Sequence, residues 1–157
     1  MPRPYIIRSQ TQAYHVTART LNQELFPLPM EETWLIMLKE LNYTVKKHQL
    51  AVHAFVLMGN HFHLLCHTPQ ENLPEAMQYF MRATSYKIRR RAKASRNLWG
   101  GRYKWSLIDS KKHYYQVYRY VFQNPLRVGL AKRVEDYPYT SLKNVPFPLH
   151  SFVPMAF

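Results

Sequence analysis

The sequence predicts an α+β fold: a ferredoxin-like sandwich with an antiparallel sheet, helices on one face, and a further helix near the C-terminus. Three observations carry this. Short segments rich in β-formers alternate with long amphipathic segments in the order β-α-β-β-α-β, followed by a helix. The chain has 157 residues, enough for one domain with a sizeable core. Apolar residues make up 46% and aromatic residues 15%, a globular composition.

Each element has its own signal. "AYHVTAR", 13–19, is rich in β-formers and reads as a strand. In "MEETWLIMLKELNYTVKKH", 30–48, Trp34, Leu35, Leu38, Leu41 and Val45 recur at helical spacing, and the acids come first, where the helix dipole favours them. "LAVHAFVLM", 50–58, is a strand; Gly59-Asn60 makes a tight turn, and "HFHLLCHT", 61–68, returns. "LPEAMQYFMRATSYKIRRRAK", 73–93, is a second helix, with Pro74 in its first turn. Its inward stripe is Met77, Phe80, Met81, Thr84 and Ile88, and its arginines face out.

Residues 94–102 form a loop around Gly100-Gly101, and "YKWSLID", 103–109, is the fourth strand. Ser110 is an N-cap for the third helix, "KKHYYQVYRYVFQN", which Pro125 should end. After Val134 the prolines 138, 146, 148 and 154 predict irregular chain. The domain is taken as 1–143, with 144–157 as a proline-containing tail.

Charge narrows the partner. Twenty-two Lys and Arg face nine Asp and Glu, giving +13 and a pI of about 10.0. A polyanion is the natural ligand: nucleic acid first, an anionic membrane surface second. Between Ala76 and Ile108 there is no acid. That interval holds Arg82, Lys87, Arg89, Arg90, Arg91, Lys93, Arg96, Arg102 and Lys104, interleaved with Tyr86, Trp99, Tyr103 and Trp105. Cations neutralise phosphates and aromatic faces stack on unpaired bases, so the mixture favours single-stranded or structured nucleic acid over lipid. Trp99 and Tyr103 are the candidates for stacking, and Trp105 reads as core.

Other classes are excluded or disfavoured. No run of about 18 apolar residues is present, so no membrane span is expected. "MPRPYIIRSQTQ" lacks the apolar region and cleavage site of a secretory signal. Cys66 stands alone, which excludes an internal disulfide and a cysteine-rich zinc site. A cytoplasmic protein fits these features.

The stretch "GNHFHLLCHT", 59–68, carries the chemistry. In a strand, residues two apart share a face, so His61 and His63 project together and Phe62 goes the other way. Two adjacent imidazoles are half of a divalent-metal site, or else a polar pair on a solvated face. His67 shares the face but lies roughly 13 Å from His61 at strand spacing. His15 and His53 read as core or surface residues, or as support for the pair. On the third helix, Gln116, Tyr120 and Asn124 are four apart and share a face. Asn124 could supply an amide oxygen as third ligand, with Gln123 as the alternative. Tyr120 would present a phenol, a group that can attack phosphorus, or else it packs as any of the twelve tyrosines might. Asp109 reads as an N-terminal partner of that helix.

These residues carry a resemblance. "GNHFHLL" resembles the His-hydrophobic-His motif of HUH endonucleases, and "VYRYVFQNPLRVGL", 117–130, resembles the tyrosine helix of REP-associated tyrosine transposases. These are relatives of the single-tyrosine insertion-sequence transposases. "YHVTAR", "LWGGRYKWSLID" and "DYPYTS" also match in order, so the resemblance spans about residues 2–143. It implies the ferredoxin-like sheet and metal-dependent nicking of single-stranded or hairpin-flanked DNA through a 5′-phosphotyrosine. It carries the paired ligands onto His61 and His63, the nucleophile onto Tyr120 and the third ligand onto Asn124. It implies Mg²⁺ or Mn²⁺, which suits phosphate oxygens and mixed nitrogen and oxygen ligands. It also implies a monomer or homodimer in a bacterial cytoplasm, on the nucleoid when DNA is bound. The alternative is a catalytically silent module recognising hairpin DNA or RNA.

Overall fold

A computed structural model describes residues 5–151. Four strands form one antiparallel sheet in the order β2-β3-β1-β4. They are β1 (Tyr14–Arg19), β2 (Ala51–Leu57), β3 (His61–His67) and β4 (Lys104–Leu107). Three helices accompany them: α1 (Met30–His48), α2 (Leu73–Ala92) and α3 (Lys111–Arg127). The predicted order and fold class are the observed ones.

Strand periodicity divides the molecule into two layers. Tyr14, Val16, Phe62, Leu64, Val52 and Phe55 point to one face, where Trp34, Leu38 and Leu41 of α1 and Met77, Phe80 and Ile88 of α2 cover them. Ala54, Val56 and Leu65 point to the other, against Tyr114, Val117, Val121 and Phe122 of α3. A register shift between Val52 and Ala54 lets Val52 and Phe55, three residues apart, point to the same face. Thus α3, with Tyr137 and Val134 of the segment after it, packs on the face that carries His61 and His63.

Leu35 departs from its predicted role in the buried stripe of α1. It is 60% exposed, and Met37 takes the buried place instead. Pro125 does not end α3, which runs to Arg127. A proline in the last turn sacrifices one backbone hydrogen bond, and Pro125 is buried, so packing compensates. Ser110 caps α3 as expected, its hydroxyl accepting from the His113 N–H at 3.0 Å.

The turn at Gly59-Asn60 is tight, with Met58 N–H on the His61 carbonyl at 2.8 Å. Neither turn residue has positive φ, so it is not one of the primed types that Asn-Gly signals. Gly100 is required by close approach: a Cβ there would sit 2.9 Å from the Thr20 carbonyl oxygen.

The chain after Val134 is largely irregular but not loose. Tyr139 and Ser141 hydrogen-bond Leu57 and Phe55, and the His150 N–H bonds the Val52 carbonyl at 2.9 Å. The open edge of β2 is thereby covered. Phe147, within the segment read as tail, is buried in the core. Pro154 and the rest of 152–157 lie outside the described residues, as do residues 1–4.

Candidate active site

His61 and His63 stand side by side on β3 with ring centroids 5.1 Å apart. Across the sheet, Arg19 pairs with His61 and Thr17 with His63 in the β1–β3 register. α3 crosses above and lowers Tyr120 onto His63 and the neighbouring His15: its ring centroid is 5.6 Å from His63 and 5.9 Å from His15. The structure therefore brings together three residues that sequence spacing could only propose as neighbours.

The two imidazoles differ in exposure. His63 is buried, under 6% accessible, whereas His61 is half-buried. Burial disfavours the charged ring, and Arg19 nearby adds to this. His61 is held down at about 4. His63 falls to about 3 through burial first, then through His15, His61 and Arg19. Both rings are neutral at physiological pH, the form that binds a cation. The Nε2 atom of His63 is buried and has no hydrogen-bond partner.

Tyr120 is 37% exposed, so part of its side chain is open to solvent. The Arg127 guanidinium lies 4.7 Å from its ring centroid, a cation–π contact two turns along the same helix face. Asn124, one turn beyond Tyr120, donates its side-chain N–H to the Tyr120 carbonyl at 2.8 Å. Its amide oxygen is left to accept or ligate. Gln123 is exposed.

Tyr118 stacks on Tyr114 and meets Phe122 edge-on, so it belongs to the packing under α3. His67 lies away from the pair and hydrogen-bonds His53 at 2.7 Å, and His53 bonds the Tyr114 hydroxyl at 2.5 Å. Asp109 partners His113 at 3.0 Å at the start of α3. Among the described residues no three His, Cys, Asp or Glu side chains converge as a metal site.

Comparison with known families now bears on the site. The family described as "Transposase IS200 like" matches residues 9–124, most of the chain, including His61, His63, Tyr120 and Asn124. The protein belongs to this family. It is an IS200-like transposase. Among solved structures, it resembles a REP-associated tyrosine transposase bound to a REP hairpin. The TM-score is 0.76 at 17% identity, over 90% of this chain and 82% of that one. It also resembles a structure ascribed to a transposase of Deinococcus radiodurans R1. There the TM-score is 0.51 at 19% identity, over 77% of this chain and 94% of that one. At these identities the likeness is one of fold. Curated proteins yield no match. No helix among the described residues of the transposase is long and apolar enough to cross a membrane.

The basic segment of the transposase divides into two groups. Lys87 is paired with Glu40, Arg91 with Glu32 and Arg96 with Glu24. Arg89 is half-buried and donates to the Ser95 carbonyl at 2.9 Å, and Arg90 donates to the Tyr86 hydroxyl at 3.1 Å. Arg82, Lys93, Arg102 and Lys104 are exposed. Arg82, Arg102 and Lys104 line a groove of about 1140 Å³ between α2 and β4, together with Tyr103 and Trp105. Trp99 is half-buried and also lines this groove: its N–H donates to the Met81 carbonyl at 3.2 Å, and its ring packs edge-on against Phe26 and Phe62.

Sequence reasoning did not single out Arg19, Asn60 or Arg127. Arg127 sits seven residues after Tyr120, a spacing that returns to the same helix face. In the sequence Asn60 signals only a turn, and Arg19 only the end of a strand.

Proposed function

We propose that this transposase nicks single-stranded DNA beside hairpins, with Tyr120 as nucleophile and His61, His63 and Asn124 holding Mg²⁺ or Mn²⁺. The observation that carries this is Tyr120 poised 5.6 Å from His63, above two neutral imidazoles. The residues fit a divalent cation: a buried, unpartnered Nε2 on His63, a neutral ring beside it and an amide on the facing helix. When bound, the ion would polarise the scissile phosphate and stabilise charge on its oxygens.

The chain's own groups do the rest. The Tyr120 oxygen attacks phosphorus and loses its proton to solvent. The new O–P bond replaces the bond to the 3′ oxygen, which takes a proton from solvent and leaves as a 3′-OH. A 5′-phosphotyrosine remains, and the 3′-OH of a second strand reverses the step with no net loss of bonds. Arg127 and Arg19 set positive charge where the phosphate arrives.

Substrate grip is assigned to the α2–β4 groove. Arg82, Arg102 and Lys104 carry charge free for phosphates, and Tyr103 and Trp105 offer aromatic surface. A REP hairpin bound to the similar solved structure supports hairpin DNA as substrate. The test is a nicking assay with Mn²⁺ on a hairpin carrying single-stranded flanks. A covalent adduct on Tyr120, absent from Tyr120→Phe, is expected. Tight hairpin binding without cleavage in the wild type would instead identify a silent binding module.

A further inference from the structure

A ligand histidine needs its second ring nitrogen occupied, because that contact fixes which nitrogen carries the proton and which offers a lone pair. The partner is most often a carboxylate or a backbone carbonyl. Neither histidine of the pair has one among the described hydrogen bonds. Each has instead a neutral side chain. His61 Nδ1 lies 2.7 Å from Asn60 Oδ1, and His63 Nδ1 lies 2.9 Å from His15 Nε2.

The Asn60 amide has a defined orientation. Its Nδ2 donates to the Gln23 carbonyl at 2.9 Å, so the oxygen is what faces His61. An oxygen can only accept, so His61 carries its proton on Nδ1 and keeps a lone pair on Nε2. For His63, the buried atom decides. Were Nε2 protonated, a buried N–H would have nothing to donate to, a costly state. With the proton on Nδ1, donated to His15, Nε2 is a bare lone pair in a dry pocket beneath Tyr120. His15 reaches this point from the neighbouring strand, on the same sheet face, with its ring stacked on His63 at 5.2 Å. The isolated imidazole favours the proton on Nε2, so both assignments run against the solution preference and need enforcement.

We propose that Asn60 and His15 are positioning residues that lock His61 and His63 in the Nδ1–H tautomer, so that both Nε2 atoms offer lone pairs to the cation. The proposal rests on the metal reading given above. It also gives Asn60 in the turn, and His15 in the first strand, a role beyond folding.

Two measurements test it. In metal-free protein, nitrogen-15 NMR of the histidine rings reads the tautomer directly. Wild type should show Nδ1–H on His61 and His63, with Nε2–H appearing on His63 in His15→Leu and on His61 in Asn60→Ala. Titration with Mn²⁺ should then show about 10–100-fold weaker binding in those two variants. His15→Gln and Asn60→Asp, which retain an acceptor, should restore both readouts. Melting curves without metal identify any variant that has lost its fold, and the conservative pair still answers the question. Nε2–H on both rings of the wild type, or unchanged Mn²⁺ affinity in His15→Leu and Asn60→Ala, overturns the proposal. If wild type binds Mn²⁺ no better than a His61→Ala, His63→Ala double variant, the metal reading itself fails, and the proposal falls with it.

Discussion

At the scale of the residue, the hydroxyl of Tyr120 is separable from its ring. Tyr120→Phe keeps the edge-on contacts with His15 and His63 and the Arg127 contact, and removes only the attacking oxygen. It should abolish the covalent adduct while hairpin affinity stays within about twofold. An adduct persisting in the Phe variant would move the nucleophile elsewhere. Tyr118, its nearest neighbour of the same type, is engaged in packing with Tyr114 and Phe122. The histidines should not behave alike. His61 is half-buried, so His61→Ala should lose metal-dependent cleavage with little change in stability. His63 lies under Tyr120 and against His15, so His63→Ala also removes packing. A clear drop in melting temperature for His63→Ala but not for His61→Ala is expected; equal drops would contradict the asymmetric burial.

At the scale of the element, the sequence showed most where one physical rule dominates. Alternation on β3 placed His61 and His63 together, and helical spacing placed Tyr120 and Asn124 on one face of α3. It showed least where a contact joins distant segments. The hydrogen bond from His63 to His15 spans 48 positions, and no local pattern announces it. The basic segment shows the same limit: Arg91 in the last turn of α2 and Arg96 in the loop after it are paired with Glu32 and Glu24, which come from α1 and the chain before it. Exposed pairs of this kind contribute little to stability, but they occupy the charge. Changing Arg82, Arg102 and Lys104 together to Gln should therefore weaken DNA binding more than changing Arg91 and Arg96. Each lost phosphate contact lowers the log–log salt slope by about 0.7 on single strands, so the triple variant should lose about 2 from it. A full wild-type slope would take the DNA off the α2–β4 groove. Trp99 shows the same limit from the other side. Its place among cations suggests base stacking, and it does line the α2–β4 groove, but its ring also fastens the loop after α2 to Phe26 and Phe62. Trp99→Ala should cost about 3 kcal/mol of stability, measurable by urea unfolding without DNA.

At the scale of the whole molecule, α3, the sheet and the chain after Val134 meet at His53. Its Nδ1 meets the Tyr114 hydroxyl on α3, its Nε2 meets His67 on β3, and His150 of the C-terminal segment stands 6.2 Å away, ring to ring. No carboxylate is among these partners. Burial, and then His67 and His150, press the His53 pKa down to about 3. The unfolded chain takes up this proton near 6.5, while the folded protein refuses it until about 3. Between those values the unfolded state binds more protons, so stability is full above the upper value and falls as the pH drops through the window. One such group accounts for at most about 1.4 kcal/mol per pH unit. His53→Gln keeps a polar side chain at the junction and removes the titration. Urea unfolding at pH 7.5, 6 and 4.5 should show stability falling with pH in both proteins, since His61 and His63 are also held neutral by burial. The fall should be shallower in the variant by about one group's share. Parallel curves for the two proteins would mean that the junction opens locally and lets His53 protonate before the molecule unfolds. The segment through His150 would then be the part that yields first, because its end is held to the sheet by few contacts: the His150 N–H bond to Val52, the His150 ring against His53 and His67, and the Phe147 contact.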